Sequence, residues 1–506
     1  MVFDEIIFLS LFIIGLLGTQ SKHISKTSRY YVLIMAQLLM LLSCLGWGIF
    51  QISGHGIDES VIYHLRYGME KSGYRAFEAV YISSGLAFIL GSLFITYIIL
   101  KAPFARWLGS TRLITMPYWF TRLNWFLAFV SHPLLVESFL LTLPKKADIP
   151  AIRYYAHLRD IPKVNKKMPN LVWIYGESLE KTYLDESLFP GLMPEIKKLS
   201  QESLSFGNIA QVFGTGWTIA GMVASQCGIP LVTTGGHGNS MGFIRDFLPG
   251  ATCLGDILRK QGYHLSYLGG AFSQFAGKGA FYKSHGFQDV LGFEELRPFV
   301  NDETDFNEWG IQDDALFEIV RKKLQELYSA QQPFGLFTLN LGTHHPHGYI
   351  AKSCQGQNYG DGSNPFLNAV HCTDRLIGKL VNDIRAMDPD NSTLVVIASD
   401  HLAMPNTVYE QLEKKKRTNL LILNWPGHLK PRNIDRIAAT LSTGVTALQV
   451  MGFPVEKLAF GRSLLSDDKT LMEELPNFND LLASWERDLR RQIGRASCRE
   501  RVLCVV

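Results

Sequence analysis

Residues 171–175 read Leu-Val-Trp-Ile-Tyr and run directly into Gly176 and Glu177. An apolar run this short, rich in β-branched and aromatic side chains, suits a strand buried on both faces better than a helix. Similar runs recur at residues 204–209, 264–268, 334–341, 393–398 and 420–423. Between them lie helical patterns at 191–202, 253–261, 314–328 and 364–387. In the third of these, Leu316, Ile319, Val320, Leu324 and Leu327 fall three and four residues apart, giving one buried face that packing alone explains. The alternation predicts an α/β fold with a central sheet flanked by helices.

The chemically useful residues stand where these strands run out. Glu177 follows the first, Asp400 and His401 follow the run at 393–398, and His344 and His345 follow the run at 334–341. In open α/β sheets, ligands sit outside the carboxyl ends of strands. One such acid by itself is usually a helix cap or a turn residue. Taken together they offer two carboxylates and imidazole, a donor set suited to Mn²⁺, Zn²⁺ or Mg²⁺.

A nucleophile is available in Gly214-Thr-Gly-Trp-Thr-Ile-Ala-Gly221. Its glycines permit a sharp turn, after which residues 219–226 can be helical with Thr218 at the helix N-terminus. Free N–H groups and the positive end of the dipole would then face a phosphate. Read locally, Thr218 is an ordinary N-cap. Read as a nucleophile, it requires a metal to favour its alkoxide, because a threonine hydroxyl is weak near neutral pH. Glu177, Asp400 and His401 could supply that metal.

Working outward, the 506 residues suffice for about three domains at roughly 150 residues each. Hydrophobic residues make up 47% and charged residues 19%, with a mean hydropathy of +0.07, which fits neither a disordered chain nor an ordinary soluble surface. A net charge of +3 gives no basic excess, so nucleic acid is not expected as a partner. The apolar excess lies in residues 1–145, where 2–19, 31–52, 79–100 and 125–144 approach the length of a membrane span. The first resembles a signal peptide in length but opens on Asp4 and Glu5, not on basic residues. His132, Pro133 and Glu137 weaken the fourth, which an interfacial helix would also explain. Lys22, Lys26 and Arg29 in the first loop, and Lys101, Arg106, Arg112 and Arg122 in the third, are unaccompanied by acids and should face the cytoplasm. Four spans then place the N-terminus and everything after residue 145 outside.

Residues 146–169 read as a juxtamembrane linker, 170–467 as the catalytic domain, and 468–506 as a C-terminal segment with a disordered end. Cys227, Cys253, Cys354 and Cys372 are an even number in a compartment that permits disulfides. Three pairings are open; Cys354 with Cys372 and Cys227 with Cys253 is favoured, and four buried thiols is the alternative.

Several strings carry a family resemblance: Tyr175-Gly-Glu-Ser-Leu-Glu180, Thr218-Ile-Ala-Gly-Met-Val-Ala-Ser-Gln-Cys-Gly-Ile-Pro230, Lys283-Ser-His-Gly-Phe287, Thr343-His-His-Pro346 and Ser399-Asp-His-Leu-Ala-Met404. They resemble the phosphoglycerol transferase I family of osmoregulated periplasmic glucan synthesis. That family groups with lipoteichoic acid synthases and phosphoethanolamine transferases in the sulfatase and alkaline phosphatase superfamily. The resemblance implies a transmembrane helix bundle followed by a sulfatase-like α/β domain. It further implies a bacterial inner-membrane protein whose periplasmic domain moves phosphoglycerol from phosphatidylglycerol to a glucan, releasing diacylglycerol through a phosphoglycerol-threonine intermediate.

By position, Glu177, Asp400 and His401 match the family's metal ligands, and Thr218 matches the threonine that binds the metal and accepts the phosphoryl group. His344 matches a histidine that contacts the substrate phosphate or assists proton transfer. Lys278 falls where the polymer synthases hold phosphate with an arginine. One divalent ion is implied, manganese by family preference, with zinc or magnesium as alternatives. Longer family members continue past the catalytic domain, whereas this chain ends about forty residues after Ser466. Competing readings are another headgroup transferase, of phosphoethanolamine or polyglycerolphosphate type, and a non-catalytic glucan- or lipid-binding membrane protein. Sulfatase chemistry is disfavoured, because a formylglycine site needs cysteine or serine followed at alternate positions by proline and arginine, which Cys227-Gly-Ile-Pro230 lacks.

Overall fold

The computed structural model describes residues 2–19, 25–54, 56–57, 61, 77–101, 117–142, 149–158, 168–232, 246–486 and 488–489. The chain divides into an N-terminal helical unit and a larger unit that begins at Lys145. Residues 20–24 and 102–116 of the loops used to infer orientation, most of the linker and the last residues lie outside the described set, whereas Lys26, Arg29, Lys101 and Arg122 fall within helices.

In the helical unit, Val2–Thr19, Lys26–Ser53, Glu78–Lys101, Tyr118–Val130 and Pro133–Thr142 are helices. The second starts where the Ser25 side chain accepts the Ser28 N–H and stops at Gly54 in the left-handed region. Ile82, Leu86, Ile89, Leu90, Leu93 and Phe94 on the third are exposed, a continuous apolar surface suited to hydrocarbon. Among the described residues two helices are long and apolar enough to span a membrane, or three if a bent pair counts as one. The first helix, Val2–Thr19, contributes the apolar stretch Ile7–Leu16 among the described residues, and the fourth stretch is bent by 52°. The bend follows from Pro133, which lacks an N–H and cannot continue the preceding helix undistorted. His132 at the break is buried, with Nε2 3.1 Å from Ser43 Oγ.

In the larger unit an eight-stranded sheet is built from β1 (Asn170–Gly176), β2 (Leu204–Phe206), β3 (His264–Gly269), β4 (Asp289–Leu291), β5 (Phe334–Leu339), β6 (Thr393–Ser399), β7 (Leu421–Asn424) and β8 (Arg432–Ile434). Its spatial order is β8-β2-β7-β6-β1-β5-β3-β4. β1 runs parallel to both neighbours, while β7 is antiparallel to β6 and β2. Alternate side chains divide between two cores. Leu171, Trp173, Tyr175, Val396 and Ala398 pack on one face with the Thr218–Cys227 and Thr443–Val450 helices. Val172, Ile174, Val395 and Ile397 pack on the other with Asp313–Ser329 and Pro365–Met387. Burial on both faces explains why these strands read as unbroken apolar runs.

The packed unit runs past the expected boundary at residue 467. Leu471, Phe478, Leu482, Trp485 and Leu489 are buried in the first of these cores, and Trp485 Nε1 donates to the Ile149 carbonyl at 2.6 Å. Cys227 pairs with Cys253 and Cys354 with Cys372. Peptide mapping of the unreduced protein should therefore yield those two cross-linked pairs, each separating on reduction; any other pairing contradicts this packing.

Candidate functional site

Register assembles the site. Tyr175 stands opposite Ala398 on one side and Leu339 on the other, so β6, β1 and β5 end together. Glu177 leaves β1 beside Asp400 and His401 leaving β6. Ser178, in the left-handed region at φ 54°, turns the chain so that its N–H donates to Asp400 Oδ1 at 2.9 Å. The His401 N–H donates to the same oxygen at 2.8 Å. His401 Nε2 lies 3.4 Å from Glu177 Oε1 and 3.3 Å from Asp400 Oδ2. All three side chains are buried, and their candidate ligand atoms lie within 4.8 Å of one another.

Residues that the sequence reading did not single out hold these groups in place. Behind Glu177, its N–H donates to Asn340 Oδ1 at 2.8 Å and its carbonyl accepts from the Thr343 hydroxyl. Asn340 Nδ2 donates to Asp313 Oδ2 at 3.0 Å, and Asp313 also accepts from the N–H groups of Leu341 and Gly342. Burial raises the Asp313 carboxyl above its ordinary range, against these hydrogen bonds. Behind Asp400, the buried Glu180 accepts the Ala403 N–H at 3.0 Å and Arg417 Nε at 3.1 Å, while Leu402 N–H donates to Gln211 Oε1 at 2.8 Å.

A divalent cation fits this donor set. The His401 Nδ1–H is committed to the Leu402 carbonyl at 2.8 Å, which turns the Nε2 lone pair of the neutral ring toward two carboxylates. Asp400 Oδ2 is buried with no hydrogen-bond partner. Such a cluster is satisfied by a cation or, without one, by a proton. Consistent with this, burial and then the charge of Glu177 push the Asp400 carboxyl up to about 7. Burial would lower His401, but Asp400 and Glu177 outweigh it and push the ring up to about 9. Burial likewise opposes ionisation of Glu177, yet the hydrogen bond and charge of His401 hold it well below its usual value.

Thr218 is the first residue of the Thr218–Cys227 helix and is half-buried. It is not the N-cap: Trp217 occupies that position in extended conformation and gives no side-chain capping bond. One turn in, Gly221 lets the helix backbone approach β6, since a Cβ there would meet the Asp400 carbonyl oxygen at 1.8 Å. Preceding this helix, the Thr215 hydroxyl bridges the N–H and carbonyl of Val212, closing the turn. Lys278 begins the Lys278–Ser284 helix, buried, with Nζ 4.7 Å above the Phe275 ring. Burial lowers its ammonium to about 8, against the charges of Glu177 and Asp400. The half-buried His344 packs against Trp309 at 3.8 Å between centroids, with the ring planes tilted by 32°. Burial lowers its ring, with Glu177 opposing. Of the unassigned histidines, His345 is buried beside His344, His347 is exposed, and His285 is buried between Asp256 and Cys253.

Known proteins resemble this chain in both units. A sulfatase family model matches residues 169–453, and a model described as the N-terminal domain of phosphoglycerol transferase I matches residues 3–148. Phosphoglycerol transferase I of Xanthomonas campestris pv. campestris is 40% identical over 450 residues, covering 86% of this chain and 61% of the relative. Its counterpart in Escherichia fergusonii is 41% identical over 343 residues, covering 67% and 44%. The chain thus spans about three-fifths or less of the length of these relatives. Among solved structures, a lipoteichoic acid synthase from Listeria monocytogenes superposes with a TM-score of 0.51 at 14% identity, covering 67% of this chain and 96% of that one. An alkaline phosphatase superfamily protein from Vibrio parahaemolyticus gives 0.50 at 20%, covering 62% and 74%. These likenesses establish the fold.

Two predictions follow from the geometry. Equilibrium dialysis against Mn²⁺ should find one ion per chain, and Asp400→Asn should weaken it by about 100-fold or more, beyond the range for removing an outer partner. Gly221→Ala should destabilise the larger unit by at least about 2 kcal/mol through overpacking, measured by denaturant unfolding.

Proposed function

This chain belongs to the sulfatase family, and from that premise we propose that it is a membrane-anchored phosphotransferase moving phosphoglycerol from phosphatidylglycerol to a periplasmic glucan. The single observation that carries the reading is the close seating of the Thr218 helix on Asp400, through Gly221, beside a buried donor set of Glu177, Asp400 and His401. The phosphoglycerol transferase I relatives favour phosphoglycerol over phosphoethanolamine as the group moved. In this reading the chain lies in a bacterial inner membrane with its larger unit in the periplasm, where both substrates meet.

Glu177, Asp400 and His401, together with Thr218, would hold one divalent ion, with manganese preferred. When bound, such an ion supplies positive charge that favours the alkoxide of a nearby alcohol and neutralises phosphate. Thr218 Oγ1 attacks the phosphorus of the lipid, the bond to the diacylglycerol oxygen breaks, the proton given up by the Thr218 hydroxyl passes to that oxygen so that diacylglycerol leaves as the alcohol, and phosphoglycerol remains on Thr218. Free N–H groups at the start of its helix, and the Lys278 ammonium, offset the charge on the phosphoryl oxygens. A glucan hydroxyl then displaces Thr218, and in this reading His344 takes the proton. Threonine fits this two-step transfer, whereas a formylglycine sulfatase would need cysteine or serine in a motif that the sequence lacks.

Incubation with phosphatidylglycerol radiolabelled in the headgroup should leave label on the protein at Thr218, and adding glucan should chase it onto the polymer. Thr218→Ala should carry no label; a labelled Thr218→Ala protein would refute the assignment.

A further inference from the structure

The proposed reaction leaves open what gives His344 a defined role, since an imidazole can donate or accept at either nitrogen. The structure fixes one of them. His344 Nδ1 lies 2.9 Å from the carbonyl oxygen of His345, which can only accept. Nδ1 therefore carries the hydrogen, and in the neutral ring Nε2 holds the lone pair. A base needs that lone pair aimed, and the aim depends on the ring plane.

Two rings flank the imidazole: His345 stacks on it at 4.8 Å between centroids, and Trp309 meets it from a distant segment. Trp309 lies with its ring centroid 3.8 Å from that of His344, the planes tilted by 32°, and is 8% exposed, so the imidazole is in close contact with the indole. Trp309 itself has little freedom. It stands at the tip of a small hairpin pairing Phe306–Asn307 with Gly310–Ile311. Asn307 Oδ1 accepts the N–H groups of both Trp309 and Gly310, at 2.8 and 3.1 Å. Gly310 has φ +144°, and a Cβ there would come within 2.1 Å of the Gly270 carbonyl oxygen just past β3. The hairpin is thereby pressed onto the sheet, and Phe275, whose ring lies under the Lys278 ammonium, meets Trp309 edge-on at 6.1 Å. Aromatic pairs of this kind are attractive beyond their burial and favour particular ring orientations.

We infer that Trp309 is a positioning residue that holds the His344 ring so that Nε2 receives the proton of the acceptor hydroxyl. This rests on the transferase reading. In the step concerned, the acceptor oxygen forms a bond to phosphorus and the bond from phosphorus to Thr218 Oγ1 breaks. The hydroxyl proton passes to His344 Nε2, and the electron pair of the broken bond stays on Thr218 Oγ1. Trp309 touches no reacting atom.

The test uses the full-length protein in detergent, labelled from headgroup-radiolabelled phosphatidylglycerol and then mixed with glucan. The readout is the rate of label discharge divided by the rate of labelling, a ratio unaffected by any loss of folded protein. His344→Gln should lower the ratio by about 100-fold, the scale of a general base. Trp309→Leu should lower it by about tenfold and Trp309→Phe, which keeps a stacking face, should restore most of it. Combined with His344→Gln, Trp309→Leu should lower it no further, since the two act through one ring. An unchanged ratio in Trp309→Leu, or losses that multiply in the double variant, would overturn the inference. Absence of label from Thr218 in the unaltered protein would instead reject the transferase reading and this inference with it.

Discussion

Two carboxylates and an imidazole meet in a space closed to water, and that meeting is stable only with positive charge among them. At separations of 3.3–3.4 Å between His401 and each acid, the unscreened cost of leaving the negative charges unbalanced is large in a poorly polarisable interior. A proton on His401 satisfies them in one way, a divalent cation in another. Much of the surrounding structure serves to keep the three groups from relaxing apart. The register of β6 against β1 fixes the two acids side by side, and each loop is then tied down from behind by its own acid.

Those two supporting acids act differently. Glu180 is paired with Arg417, so the loop from Asp400 to Ala403 is held by a charged, multiply bonded pair. Asp313 accepts only from neutral donors, two backbone N–H groups and the Asn340 amide. Burial favours its neutral form, while the hydrogen bonds favour the ionised one. Asn340 passes that constraint on to the N–H of Glu177. An amide relay of this kind orients a ligand without placing a second full charge against it, a common way for outer residues to tune a cation site.

What could be read from the sequence follows from these physics. Strands buried on both faces must be apolar throughout, so β1, β5 and β6 were legible as runs, and the residues just after them as a candidate site. Strand direction leaves no such trace, and nothing in residues 420–423 reveals that β7 runs antiparallel to its neighbours. The polarity of His132 and Pro133 was visible, but whether a helix tilts, ends or bends there depends on what surrounds it. Asp313 sits at the start of an amphipathic helix, where an acid is expected for dipole reasons alone, and only the fold turns it toward Asn340. Trp309 lies in a short turn between two-residue strands, with no periodicity to mark it. The packing of Trp485 against Ile149 joins segments more than 300 residues apart, which no local pattern encodes.

In the proposed reaction, the Thr218 helix would place a weak nucleophile without motion. It is only 10 residues long, and intrinsic helical stability at that length is marginal, so its position must come from its attachments. At one end Gly221 seats it against the Asp400 carbonyl. At the other, Cys227 is bonded to Cys253 and Gly228 carries the chain out in the left-handed region. Fixed at both ends, the helix shifts only if the loop carrying Asp400 shifts with it. The hydroxyl and the carboxylates therefore belong to one rigid body, and the reorganisation that a free alcohol in water would undergo is spent in folding, before any substrate arrives.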